Sequence, residues 1–182
     1  MYKFMSVKAQ ELIEHYIKNE GLRKHCYAVE SVMRFYAKKL SEDEERWGDA
    51  GLLHDLDYEM YPDTHPNTAV PILKEAGYDD EFIDVILGHG YPGWSNVPRT
   101  TKFAHYLFAS DEVTGLVMAY SFMKPDKYAT MEVKGVMKKF KDKAFARNVN
   151  REDLILGAEE IGVPLDEHIG NVILAMRDDA RL

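Results

Sequence analysis

The stretch AGLLHDLD, residues 50–57, places a histidine and an aspartate side by side at the end of an apolar helical run. Neighbouring side chains on a helix diverge by about 100°. His54 and Asp55 can therefore approach one metal ion from slightly different directions, which leaves the carboxylate free to bridge to a second ion. The stretch predicts an apolar helix that ends in two candidate metal ligands, and the evidence for metal binding depends on the rest of the chain.

Apolar residues recur at helical spacing along almost the whole chain, and we find no convincing strand pattern with a period of two. Ser41, with Glu44 three residues later, resembles a capping box at the start of a helix. The predicted helices cover residues 6–21, 22–40, 41–54, 67–76, 79 or 80 to the glycines at 88–93, 100–123, 131–146, 151–161 and 165–180. We predict an all-α fold, a compact helical bundle that forms a single domain over residues 1–182. Its core covers about 22–123, and C-terminal helices over 124–182 extend it.

Composition narrows the functional classes. The chain has 182 residues, 46% hydrophobic and 30% charged, which is typical of a globular protein. Cys26 is the single cysteine, so an internal disulfide is excluded. No apolar run approaches the ~20 residues of a membrane span, and the N-terminal segment turns polar too early for a secretory signal. The net charge of −8 argues against stable nucleic-acid binding. We therefore expect a cytoplasmic protein.

Two further polar residues lie on apolar helix faces, His25 and Asp111. The carboxylate of Asp111 shares its face with small and large apolar residues, so it must be paired, protonated or bound to a metal. Together with His54 and Asp55, these residues come from three predicted helices. They form a mixed nitrogen and oxygen donor set that suits a borderline or hard divalent ion.

This order of a histidine, a His-Asp pair after a hydrophobic helix and a distant aspartate resembles the HD superfamily of metal-dependent phosphohydrolases. The segment LLHDLDYE (52–59) resembles the family's apolar-apolar-His-Asp opening, and ASDEVTGL (109–116) resembles its last ligand segment. The resemblance covers roughly residues 22–115 and implies that the four residues are metal ligands. The chain beyond it looks like the C-terminal portion of small uncharacterised HD hydrolases.

Two more histidines resemble the binuclear branch of that family. THPNTAVPIL (64–73) places His65 just before a helix, and VILGHGYPGW (85–94) places His89 at a helix end. In binuclear members such histidines complete a second metal site, with the HD aspartate bridging. The phrase His-Gly-Tyr-Pro-Gly is similar to the HD-GYP branch, but the paired histidines and the longer phrase of that branch are missing, so a cyclic-dinucleotide substrate is not inferred. The lysine that often follows the HD pair is also missing, and Asp57 stands near its place.

Four residues are second-tier candidates. Asp57 and Glu59 could orient the attacking water or hold a ligand imidazole; the alternative is the solvated start of a loop. Lys138 and Arg147 could bind a substrate phosphate; the alternative is an ordinary solvated helix face. The remaining histidines show no such context and are predicted to be surface residues: His15, His105 and His168.

We therefore expect hydrolysis of a phosphate ester, on a nucleotide or another small phosphorylated metabolite, by metal-activated water. The cofactor would be one or two divalent ions of Mn, Fe, Ni, Co, Zn or Mg. One alternative is an HD-type di-iron oxygenase, since these donors do not separate iron from manganese. Another is a non-catalytic nucleotide sensor, which the complete ligand set disfavours. The sequence leaves the substrate, the metal and the oligomeric state open.

Overall fold

The computed structural model describes the backbone of residues 2–182 and the side chains of residues 8–182. Within that range the secondary structure is entirely helical, in nine α-helices. They are α1 (Tyr2–Tyr16), α2 (Glu20–Leu40), α3 (Glu44–Leu53), α4 (Ala69–Glu75), α5 (Asp80–His89), α6 (Lys102–Ser121), α7 (Val133–Lys141), α8 (Arg151–Glu160) and α9 (Leu165–Arg177). In the described part of the chain, no helix is both long and apolar enough to cross a membrane. The predicted all-α fold is confirmed.

Helices α2 and α3 pack with their backbones in close contact. A Cβ atom on Gly51 would lie 2.8 Å from the N and Cα atoms of Glu30 and from the carbonyl carbon of Val29. Glycine therefore allows the two helices to approach closely at the turn that leads into the His-Asp pair. This contact sets the separation between the histidine on α2 and the histidine that follows α3.

The N-cap of α3 lies two residues later than the sequence indicated, at Asp43, so the prediction that Ser41 caps the helix is wrong. Ser41 is the left-handed residue that ends α2, with φ 59°. The side chain of Asp43 instead accepts hydrogen bonds from the backbone N–H groups of Glu45 and Arg46. An aspartate that satisfies two free donors at a helix start is a strong N-cap.

Helix α6 runs through the centre of the molecule. It packs against α2 and α5, and also against α8 and α9 of the C-terminal region. A Cβ atom on Gly157 of α8 would lie 2.8 Å from the Cα atom of Ala109, so this contact is also backbone to backbone. Apolar residues of α8 and α9 join the same buried cluster as those of α2 and α6, among them Leu154, Ile169, Val172 and Met176. The C-terminal helices therefore brace the helix that carries Asp111.

Two sequence-based expectations in the C-terminal half are wrong. The helix predicted over 131–146 ends at Lys141, and turns lead from there to α8. His168 is fully buried: its Nε2 donates to the carbonyl oxygen of Ala109 (2.7 Å), and the hydroxyl of Tyr36 donates to its Nδ1 (2.5 Å). Burial lowers the pKa of His168 to about 4, so this imidazole is a neutral link between α9, α6 and α2.

Candidate metal centre

Three of the predicted ligands converge from three helices. His25 lies on α2, His54 directly follows α3, and Asp111 lies on α6. The Nε2 atom of His25 is 3.2 Å from Nε2 of His54 and 2.9 Å from Oδ1 of Asp111. The Nε2 atom of His54 is 3.5 Å from the same Asp111 oxygen. These three residues form the first ligand group.

A second ligand group lies beside the first. His65 comes from the long loop between α3 and α4, and His89 is the last residue of α5. Their Nε2 atoms are 3.1 Å apart. They are 3.4 Å and 3.9 Å, respectively, from Oδ1 of Asp55.

Asp55 joins the two groups. Its Oδ2 atom is 3.5 Å from Nε2 of His54 and 4.0 Å from Nε2 of His25, whereas its Oδ1 atom faces the second group. One carboxylate therefore offers one oxygen to each pair of histidines. This is the arrangement expected of a bridging carboxylate between two ions.

The outer nitrogens of three imidazoles are already engaged. Nδ1 of His54 donates to the carbonyl oxygen of Gly51 (2.8 Å), and Nδ1 of His89 donates to that of Ile86 (2.5 Å). Nδ1 of His65 donates to Oδ1 of Asp57 (2.6 Å). With the Nδ1 proton fixed in this way, each neutral imidazole presents a lone pair on Nε2.

The donor set fits divalent cations. Two Nε2 lone pairs that face each other at 3.1 Å, as in the second group, repel each other unless a cation lies between them. Nitrogen and oxygen ligands about 2.0–2.2 Å from a common ion lie about 3.0–3.5 Å apart at tetrahedral or octahedral angles. Most of the donor separations in both groups fall close to that range. Asp55 completes each group: it could hold one ion with His25 and His54, and another with His65 and His89.

Comparison with protein-family models gives a match to the HD domain over residues 22–116. That is 95 of the 182 residues, more than half of the chain, and it contains all six predicted ligands. The chain belongs to the HD-domain family. The HD domain indicates a superfamily of metal-dependent phosphohydrolases, and HD domains bind divalent metals. Searches of curated proteins and of solved structures gave no match.

The carboxylates and imidazoles of this HD-domain centre shift one another's pKa values. Burial lowers the pKa of His54, but the carboxylates of Asp55 and Asp111 outweigh that effect and raise its pKa to about 9. Burial also raises the pKa of Asp111, but His54 and His25 hold it well below its ordinary value. Burial and the neighbouring His54 lower the pKa of His89 to about 4. Asp111 therefore stays ionised and His89 stays neutral, which are the forms that bind metal, whereas His54 is protonated near neutral pH and releases its proton when a cation binds.

The structure separates the two second-tier carboxylates. Asp57 is fully buried, and besides accepting from His65 it accepts from the backbone N–H of Ala69 (2.9 Å). Of its two predicted roles, the contacts match that of holding a ligand imidazole. Glu59 is turned away from the ligands: it accepts from the backbone N–H groups of Lys18 and Asn19 between α1 and α2. The structure does not bring Glu59 to the centre.

A cleft of about 680 Å³ opens onto the two ligand groups. Aromatic and acidic or amide side chains line it: Tyr58, Tyr91, Trp94, Phe108, Glu112, Asn148, Asn150 and Asp153. None of the described residues that line this cleft is a lysine or an arginine. Lys138 and Arg147 are exposed outside it, because α7 ends before Arg147 and the Lys138 side chain faces solvent. The prediction that these two cations reach the site is therefore wrong.

Sequence reasoning missed the aromatic wall and two acids of the cleft, Glu112 and Asp153. The rings of Tyr58 and Trp94 are stacked at 6.2 Å and 11°, and both lie beside the His65 ring. Glu112 points into the cleft beside Asp111, and burial together with that neighbour raises its pKa to about 7. The available signals were weak: Trp94 closes the Gly-Tyr-Pro-Gly-Trp segment after His89, and Glu112 follows a ligand directly.

Proposed function

We propose that this HD-domain protein is a phosphohydrolase that acts on a nucleotide or another small phosphorylated metabolite. The observation that carries the proposal is the position of Asp55, with one carboxylate oxygen toward each histidine pair. A bridged pair of divalent ions is suited to in-line displacement at phosphorus, because it can stabilise both the attacking and the leaving oxygen.

The residues divide into two ligand sets. His25, His54 and Asp111 would hold one ion, His65 and His89 would hold the other, and Asp55 would bind both. When bound, divalent ions lower the pKa of a coordinated water from about 16 toward 7 and neutralise charge on phosphoryl oxygens.

The cleft's own chemistry supports a compact phosphate ester with a ring. None of the residues described as lining the cleft is a lysine or an arginine. The negative charge of the phosphate must therefore be neutralised by the ions of the metal centre. The stacked rings of Tyr58 and Trp94 are 38% and 57% exposed, and they offer a flat apolar surface to a nucleobase or another planar group. Asn148 and Asn150 can exchange hydrogen bonds with hydroxyls or ring nitrogens.

The test uses protein freed of metal with a chelator and reloaded separately with Mn²⁺, Co²⁺, Ni²⁺, Zn²⁺, Mg²⁺ or Fe²⁺. Phosphate release is measured from nucleoside monophosphates, sugar phosphates and p-nitrophenyl phosphate. We expect release by at least one reloaded form and none by the metal-free protein. Asp55→Ala should reduce release to background, because its carboxylate serves both ligand groups.

Asp63→Ala is the matched control, since Asp63 is an exposed aspartate of the same loop. It should keep the wild-type rate. Equal phosphate release by Asp55→Ala and wild type would contradict the proposal. Oxygen consumption by the iron-loaded form, with no phosphate release by any form, would instead favour the oxygenase.

A further inference from the structure

We propose that Arg99 and Glu160 form a positioning pair that holds His89 in place for the second ion. The inference rests on the proposed metal centre. It assigns a role in that centre to a residue of α8, which lies beyond the segment that matches the HD domain.

Arg99 donates hydrogen bonds to backbone carbonyls on both sides of His89. Its Nη1 atom donates to the carbonyl oxygen of Gly88 (3.0 Å) and to that of Tyr91 (2.8 Å). The side chain is 6% exposed, and the hydrogen bond to the Gly88 carbonyl is partly shielded from water. Because α5 ends at His89, its last carbonyls have no partner within the helix. The Gly88 carbonyl oxygen also accepts from the backbone N–H of Tyr91 (3.2 Å), so the buried guanidinium is its second donor, and the positive charge complements the negative end of the helix dipole.

Glu160 fixes the guanidinium itself. Nε and Nη2 of Arg99 donate to Oε2 and Oε1 of Glu160 at 2.9 Å and 2.8 Å, a bidentate geometry that lysine cannot reproduce. His105 Nδ1 adds a contact of 2.7 Å to the same carboxylate. The Arg99 guanidinium carbon also lies 3.7 Å from the ring centroid of Phe108, a residue of the cleft wall. Three sides of the arginine are thus constrained.

These contacts fix the position of the His89 imidazole relative to that of His65. The His89 imidazole is oriented by its hydrogen bond to the Ile86 carbonyl, which belongs to the same last turn of α5. If that turn loosened, the Nε2 atom of His89 would leave its place 3.1 Å from that of His65. The first ligand group lies on other helices and would keep its geometry. Loss of the Arg99–Glu160 pair should therefore weaken one ion selectively.

The experiment measures binding of Mn²⁺ to metal-free protein by calorimetry, with ions counted per chain. In Arg99→Lys we expect the first ion to bind as in wild type and the second at least about 10-fold more weakly, the usual range for losing an outer partner of a metal ligand. Glu160→Gln keeps the shape but loses the charge, and should weaken the second ion by a smaller factor. It also serves if Arg99→Lys fails to fold.

Arg46→Lys is the matched control. Arg46 forms the same kind of bidentate pair with Asp79, at the opposite end of α5. It should bind both ions as wild type does, even if its melting temperature falls. Wild-type affinity for both ions in Arg99→Lys and Glu160→Gln would overturn the inference, as would equal weakening in Arg46→Lys.

Hydrogen exchange keeps the two proposals distinguishable. Amides of residues 86–94 should exchange faster in Arg99→Lys than in Arg46→Lys, with or without metal. If wild-type protein binds no ion, the proposed function fails, while this exchange difference still tests the contact. Unchanged exchange in residues 86–94 would show that Arg99 does not hold the segment.

Discussion

Replacing Gly51 with alanine should drive α2 and α3 apart. The added Cβ atom would sit 2.8 Å from three backbone atoms of Val29 and Glu30, well inside the 3.4 Å at which ordinary contact begins. Backbone atoms cannot rotate away as a side chain can, so the helices themselves must separate by several tenths of an ångström. His25 and His54 lie on these two elements, and the 3.2 Å between their Nε2 atoms would grow.

The net cost follows from two opposing terms. Overpacking a tight core contact costs about 1–3 kcal/mol. Alanine in place of glycine inside a helix returns up to about 1 kcal/mol. Gly51→Ala should therefore lower the free energy of unfolding by up to about 2 kcal/mol and also weaken metal binding in the first ligand group.

Urea unfolding of metal-free protein measures the first effect, and Mn²⁺ titration measures the second. Gly115→Ala in α6 is the control, because its Cβ would meet Val149 Cγ2 at an ordinary 3.7 Å. That variant should gain stability from helix propensity. If Gly51→Ala were as stable as Gly115→Ala and bound metal normally, the close contact would not set the ligand spacing.

Other predictions concern the second ion and the buried C-terminal histidine. His65→Ala and His89→Ala should each remove one ion and leave the other bound, as counted by elemental analysis; unchanged counts in both would mean that these histidines are structural. The native pKa of His168, about 4, lies below the ordinary value near 6.5, so the unfolded state takes up its proton first as pH falls. The stabilisation from neutral His168 is complete above pH 6.5 and is lost progressively toward pH 4, by up to about 3 kcal/mol. Urea unfolding of metal-free His168→Gln should show a shallower loss between these pH values, and equal slopes would refute the assignment.

The all-α fold was predictable from sequence because it depended on local patterns, and the six candidate ligands were predictable from local patterns together with the resemblance to the HD family. Apolar spacing marked the helices, and polar residues on apolar faces marked His25 and Asp111. The His-Asp pair at a helix end then supplied the order typical of the HD family. His65 lies in the loop between α3 and α4, so its place depended on the resemblance to the binuclear branch and not on a helix assignment.

Features that depend on packing between distant segments were not predictable in this way. The stacking of Tyr58 on Trp94 joins two loops, and Arg99 reaches Glu160 across 61 positions. Neither contact corresponds to a periodic pattern in the sequence. His168 is different, because it lies four residues before Val172 and so shares the buried face of α9. That spacing was a usable signal for a core histidine.

Arg147 shows how an error in a helix end becomes an error in a site. Sequence analysis placed Arg147 directly after a helix predicted to run to 146, but α7 ends at Lys141, and Asp142 has an extended backbone. The chain then brings Asn148 and Asn150 to the cleft instead. Because this segment is irregular, two amide side chains line the cleft where a cationic side chain was predicted.

Anomalous diffraction from crystals of the Mn²⁺-loaded protein, collected at the manganese absorption edge, tests the central claim most directly. We predict two peaks per chain, one on each side of the Asp55 carboxylate and about 3.5–4 Å apart. One should lie near the Nε2 atoms of His25 and His54, and the other near those of His65 and His89. A map with no peak beside Asp55, or with manganese bound only elsewhere on the molecule, would contradict the account.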